Sequence, residues 1–154
     1  MMTPEALFSA GNSVALLGWI VLVVSVCLRK PAFAHADKVP GILIPVLLAV
    51  LYIGALGTGM ANGPEGGGFD SIEGVRILFG DDRLLLAGWV HYLAFDLLVG
   101  TWITMNARTQ PVPRLLVLPC LFCTFMFGPA GWLLYLVLRT AFSVRPTPAQ
   151  EPQS

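Results

Sequence analysis

Asp96 is an isolated charge in an apolar stretch. It lies 13 residues beyond Arg83 and 12 before Arg108, with no other Asp, Glu, Lys or Arg between those two arginines. At about 1.5 Å per helical residue its carboxyl is ~18–20 Å from either charged end. Placing such a group in hydrocarbon costs at least ~2.5 kcal/mol, and carboxylates found there as a rule pair with another group or do chemistry. Tyr92 precedes it by four residues and Gly100 follows by four, so both lie on the Asp96 face of a helix. His91 is five residues back, about 140° around the axis and ~7.5 Å along it. It shares a cavity with Asp96 only if the helix is central and presents a wide inner face. A carboxyl and an imidazole together suit acid–base chemistry, in which one group gives a proton and the other takes it. The plainer alternatives are an interhelical hydrogen bond for Asp96 and a packing role for His91. Trp89, Thr101, Trp102, Thr104 and Asn106 add further polar or amphipathic groups to the same segment.

A second group of residues follows in Pro119-Cys120-Leu121-Phe122-Cys123-Thr124 and Gly128-Pro129-Ala130-Gly131. The Cys-x-x-Cys has no matching second pair and no soluble βαβ context, so packing is favoured over redox or metal chemistry. No metal site is expected. Pro129 frees a backbone carbonyl and should kink its helix, either for packing or to open a pocket opposite Asp96. The candidate site therefore comprises His91, Tyr92 and Asp96 as catalytic groups, with Trp89, Gly100, Thr124, Gly128 and Pro129 around a substrate. Gly54, Gly57 and Gly59, with Thr58, are read as close helix contacts.

The elements that must position these residues follow from charge. The 154-residue chain has 9 Lys+Arg against 9 Asp+Glu, 12% charged residues and 56% hydrophobic ones. An ordinary soluble domain is about 25% charged. The even balance excludes the basic footprint of a nucleic-acid binder, and the hydrophobicity excludes a disordered chain. Four windows between charged residues, 6–28, 39–64, 84–107 and 115–138, hold one of the 18 charges, Asp96. Each is long enough to cross a hydrocarbon core of about 30 Å, which takes about 20 helical residues. Such continuous runs lack the alternation of barrel strands, which leaves helices. The expected architecture is all-α and polytopic: one transmembrane domain over 1–142 with four spans near 6–28, 39–59, 84–107 and 115–138, and a disordered polar tail over 143–154.

The connections at Arg29 to Lys38 and Arg108 to Arg114 are short, which predicts antiparallel neighbours. The connection from Met60 to Asp82 carries Phe69, Ile72, Val75 or Arg76, and Phe79 at helical spacing, with Asp70 and Glu73 in a capping-box relation. It predicts a short amphipathic helix at the interface, either an anchor or a lid. Ala32-Phe33-Ala34 and Ala34-His35-Ala36 look like signal cleavage sites, but Arg29 and Lys30 follow the first apolar run instead of preceding it, as in an uncleaved span. With four spans, Arg29, Lys30, Lys38, Arg108 and Arg114 lie on one side and Arg76, Arg83, Arg139 and Arg145 on the other. The cluster at Arg29, Lys30 and Lys38 favours both termini outside.

The stretches Phe79-Gly80-Asp81-Asp82-Arg83 and Trp89-Val90-His91-Tyr92-Leu93-Ala94-Phe95-Asp96-Leu97-Leu98-Val99-Gly100, then Pro119-Cys120-Leu121, Thr124 and Gly128-Pro129-Ala130-Gly131, resemble the neoxanthin-synthase-like family of the abscisic-acid-deficient-four type. The resemblance covers roughly 39–139. It implies a small four-helix membrane protein whose plant members are needed to convert violaxanthin into neoxanthin. Opening an epoxide to an allene is an isomerisation that needs an acid at the oxygen, a base at the carbon and no cofactor. In those terms Asp96 or Tyr92 is the acid and His91 the base. The absence of a transit extension suggests a bacterial inner membrane. The partner expected is a carotenoid or other isoprenoid lipid. A non-catalytic lipid binder or small subunit of a membrane complex is the alternative, and a proton-linked transporter is a third.

Overall fold

A computed structural model of the chain describes residues 2–28 and 38–143. Six α-helices occur among them and no strand: α1 Pro4–Leu28, α2 Ile44–Ala61, α3 Ile72–Leu78, α4 Asp82–Asn106, α5 Arg114–Phe127 and α6 Pro129–Ser143. A five-residue π-helical turn, Val39–Leu43, runs straight into α2. Pro40 and Pro45 lack the N–H that regular α-helical bonding would use, which accounts for the wider turn. The predicted tail, beyond Ser143, and most of the first connection lie outside the described residues.

Local chemistry sets the helix ends. Pro4 and Glu5 open α1, where a missing N–H is harmless and a negative charge favourable, and the Thr3 hydroxyl accepts from Ala6 N at 3.3 Å. Asp81 caps α4 by accepting from Arg83 N and Leu84 N at 2.9 and 3.1 Å. The expected cap at Asp70 is instead one residue later: Ser71 accepts from Gly74 N at 3.0 Å, and Glu73 pairs with Arg76 on the exposed face of α3. Ser71 has the extended backbone of an N-cap residue. Phe69 and Ile72 are exposed while Leu78 is buried, so the short helix is amphipathic.

Three segments, Pro4–Leu28, Val39–Ala61 and Asp82–Asn106, are long and apolar enough to cross a membrane. The third is the most enclosed, at 56% buried against 33% and 28%, and forms the centre of the bundle. Glycine contacts fix the directions. Gly11 meets Val90, Gly18 meets Leu97, and Trp19 lies over Gly100, so α1 runs parallel to α4. Gly41 meets Thr101 and Gly59 meets Leu84, so α2 runs antiparallel to it. At Gly59 a Cβ would lie 2.6 Å from the Leu84 side chain, so any larger residue would force Leu84 to shift.

The predicted fourth span is not one helix. It breaks at Gly128 (φ 52°, ψ −106°) into α5, of 14 residues, and α6, of 15. The chain then doubles back. A Cβ on Gly131 would fall on the Thr124 backbone N and the Cys120 carbonyl, so the start of α6 lies flush against α5. Further along, Tyr135 donates to Asn106 Oδ1 at 2.7 Å, and its ring meets Trp102 edge-on. Both partners belong to the end of α4 from which α5 set out, so α5 and α6 form a helical hairpin. At 1.5 Å per residue each arm is about 20 Å long, against about 37 Å for α1 or α4. Pro129 therefore does more than kink a helix, because positive φ at Gly128 and the absence of a side chain at Gly131 let the chain reverse. As a result the start of α1 and the end of α6 lie at opposite ends of the bundle, a correction to the expectation of termini on one side.

Candidate functional site

Asp96 lies where the hairpin turns. Its carboxyl packs against Gly128, and a Cβ there would be 2.8 Å from Oδ1 and 3.4 Å from Oδ2. The residue is 8% exposed, and Oδ2 is buried without a hydrogen-bond partner. Tyr92, one turn earlier on α4 and partly buried, lies on the same face of the helix as the carboxyl. Trp89, a further turn back, meets the Tyr92 ring at 5.6 Å between centroids and the Phe8 ring at 5.6 Å. Its indole N–H donates to Asn12 Oδ1 at 3.1 Å, which ties α4 to α1. Gly100 is the other neighbour on this face, where the edge of Trp19 covers it at 2.6 Å from a Cβ position.

The structure thus groups Trp89, Tyr92, Asp96, Gly100 and Gly128. Pro129 starts α6 beside the turn. Thr124 is fully buried, and its hydroxyl donates to the Cys120 carbonyl at 2.8 Å and faces Gly131 inside the hairpin. His91 stands apart. It is exposed, with its ring against Phe95 at 4.6 Å and Tyr52 at 5.7 Å, as a rotation of about 140° from Asp96 requires. The helix does not bring His91 and Asp96 into one cavity, because its inner face is not wide enough to include both.

Cys120 is buried, Cys123 partly buried and Cys27 exposed, all as free thiols. Cys120 donates to the Leu116 carbonyl at 3.1 Å, an ordinary helix contact. Gly54 and Gly57 have nothing within 4 Å of a Cβ position, so the close helix contacts expected there are made by Gly59 alone. Two polar residues escaped the sequence reading, Asn12 and the pairing of Asn106 with Tyr135. The signal for both was present: an amide inside an apolar helix needs a partner, and tyrosine and tryptophan supply donors there.

A stripe down one side of α4 changes character at Asp96. Leu85 and Trp89, on the Asp82 side, are 50% and 40% exposed, whereas Ile103, on the other side, is 0% exposed. The hairpin covers the α1–α4 face only up to its turn, and an open cleft walled by Phe8, Leu85 and Trp89 continues above it. The cleft holds about 260 Å³, with Glu5 and Asp82 at its rim. Tyr92 and Asp96 lie further along α4, beyond the residues that line this cleft.

Apolar helices of spanning length, packed around one that carries a buried carboxyl, define a polytopic helical membrane protein. A family model described as ABA DEFICIENT 4-like matches residues 6–135, and the chain belongs to that ABA4-like family. No curated protein and no solved structure matches it.

Proposed function

We propose that the protein binds a carotenoid or other isoprenoid lipid and isomerises it with Tyr92 and Asp96. The observation that carries this is the unpartnered Oδ2 of Asp96, buried in the apolar bundle with Tyr92 one turn away on the same face of α4. An orphaned buried oxygen is expensive, and a ligand that satisfies it recovers that cost. For an epoxide opening to an allene, the Tyr92 hydroxyl gives its proton to the oxygen as the C–O bond breaks. Asp96 takes the proton from the neighbouring carbon as the C–H bond breaks. Proton return from Asp96 to Tyr92, one turn away on the same helix face, resets the pair, so no electrons are gained or lost and no cofactor is required.

In this proposal α1, Val39–Ala61 and α4 cross the bilayer, and α5–α6 is a re-entrant hairpin buried against α1 and α4, the setting in which broken helices are tolerated at membrane depth. Lys38, Arg108, Arg114 and Arg139 then gather at one end of the bundle, opposed by Arg76 and Arg83. In sequence, Arg29 and Lys30 follow α1 directly and Arg145 follows α6. The positive-inside rule makes that end cytoplasmic, in a bacterial inner membrane, with the start of α1 outside.

The test compares pigments and lipids extracted from cells expressing the wild type, Asp96→Asn and Tyr92→Phe at matched protein levels. Loss of one isomer in both variants is the expected result. Unchanged profiles in both would remove the proposal. A second reading is favoured by the contact of Asp96 with Gly128: the carboxyl holds the hairpin turn in a non-catalytic lipid binder. In that case Asp96→Asn lowers protein abundance while Tyr92→Phe changes neither abundance nor profile.

A further inference from the structure

We infer that a groove between α1 and α5 holds one acyl chain of an anionic phospholipid of the cytoplasmic leaflet, whose phosphate is bound by Arg114 and Arg108. The inference rests on the proposed re-entrant hairpin and is separate from the reaction at Asp96. The two helices run antiparallel: Arg114 donates to the Cys27 carbonyl at 3.5 Å, and eleven residues further along α5 the Phe125 ring meets Trp19 edge-on at 5.5 Å. Alongside these contacts lies a groove of about 390 Å³, walled by Leu16, Ile20 and Val23 on α1 and by Leu118 and Phe122 on α5. Its floor is the buried Trp19 and Leu121, and every residue that lines it is apolar.

Length and charge identify the occupant. From Arg114 to Phe125 the α5 wall rises about 16 Å. That is close to half of a hydrocarbon core of about 30 Å, so the groove takes a chain from one leaflet, entering at the arginine end. There Arg108 and Arg114 line one small pocket with Ser25 and Thr104, where α1, α4 and α5 meet. The pocket holds about 20 Å³, enough for one phosphate oxygen while the rest of the head group stays at the surface. With Lys38 and Arg139 the two arginines make this end cationic, and among the described residues no carboxylate lies there. Glu5, Glu65, Asp70, Glu73, Asp81 and Asp82 belong to the opposite end and Asp96 to mid-depth. The connection 29–37 adds Arg29 and Lys30 against Asp37. Guanidinium groups match phosphate with parallel charge-assisted hydrogen bonds, and basic pockets between helices on this side of a membrane take anionic head groups.

The full chain is placed in nanodiscs of equal phosphatidylglycerol and phosphatidylcholine with identical acyl chains, and retained lipid is read by native mass spectrometry. One phosphatidylglycerol per chain is expected, preferred over phosphatidylcholine by roughly tenfold, the worth of one charge-assisted hydrogen bond. Phosphatidylglycerol added in detergent should also raise the unfolding temperature more than phosphatidylcholine does. Arg114→Gln should abolish both preferences. Val23→Trp fills the groove from a residue that is 41% exposed and leaves the arginines in place, so it should release the lipid while unfolding without lipid stays unchanged. Inorganic phosphate should not displace the lipid, and displacement would make the arginines a site for the free anion and overturn the inference. Equal retention of the two lipids, an undiminished preference in Arg114→Gln, or full retention by a folded Val23→Trp protein also overturns it. Any of these, found with reporters of sidedness before Pro4 and after Ser143 on opposite sides of the membrane, removes the lipid site and leaves the hairpin standing. Reporters on the same side remove both.

Discussion

The carboxyl of Asp96 occupies the space in which residue 128 would carry a side chain: a Cβ on Gly128 would be 2.8 Å from Oδ1. Glycine at 128 is therefore required twice over, by its positive φ of 52° and by the carboxyl beside it. Gly128→Ala should lower stability by about 2 kcal/mol or more, combining backbone strain with overpacking. In Asp96→Ala the second contribution disappears, so the double variant should lose less than the sum of the two single changes. Thermal unfolding of the four proteins in one detergent measures this, and strict additivity would show that the two residues do not touch.

Gly131 presents the same test on the other side of the turn. Its missing side chain lets α6 lie against Thr124 and Cys120. Gly131→Val should open the hairpin and cost about 3 kcal/mol or more through overpacking against backbone, which cannot move aside as a side chain can. A disulfide between cysteines introduced at 117 and 138, in a background free of the native cysteines, reports closure. It should form in an otherwise unchanged chain and fail in the Gly131→Val chain.

Tyr135 and Asn106 hold the middle of α6 to the end of α4 through a 2.7 Å hydrogen bond. Tyr135→Phe keeps the ring against Trp102 and removes the bond, at a cost of about 1 kcal/mol. Asn106→Leu should cost a similar amount, and adding it to Tyr135→Phe should cost little more. A double-mutant cycle with a coupling near zero would contradict the contact.

Topology separates a hairpin from a fourth span directly. Reporters of membrane sidedness fused before Pro4 and after Ser143 should give opposite results, with the one after Ser143 cytoplasmic. Reports of the same side from both positions would restore the four-span arrangement.

His91 supplies a control for the site. Its ring lies between Phe95 and Tyr52 on the far side of α4 from Asp96. His91→Ala should therefore leave the pigment or lipid profile unchanged at matched protein level, while Asp96→Asn abolishes the product. Equal loss in both variants would show that His91 takes part after all.

Much of the fold was legible in the sequence because charge is so scarce. The windows around Leu22, Leu48 and Leu97 had no reading other than apolar helix, and the lone Asp96 singled out α4 before any contact was known. The helical period also warned that His91 and Asp96 diverge by about 140°. The hairpin was harder to see. A run of 24 uncharged residues, 115–138, fits one crossing or two half-depth arms equally well, and hydropathy cannot distinguish them. What decides is local geometry at Gly128 and Gly131, together with a partner for Tyr135 more than 25 residues earlier in the chain, and neither leaves a mark on composition.

The hairpin also bears on how the protein is made. In the proposed orientation nothing polar after Asn106 has to be carried across the bilayer. Once the three crossings are in place, α5 and α6 can slip in from the cytoplasmic face as a pair, drawing only their turn to mid-depth. Gly128 then reaches Asp96 last, so assembly of the site becomes a late step of biogenesis, and a chain halted after α4 would sit in the membrane with its carboxyl still uncovered.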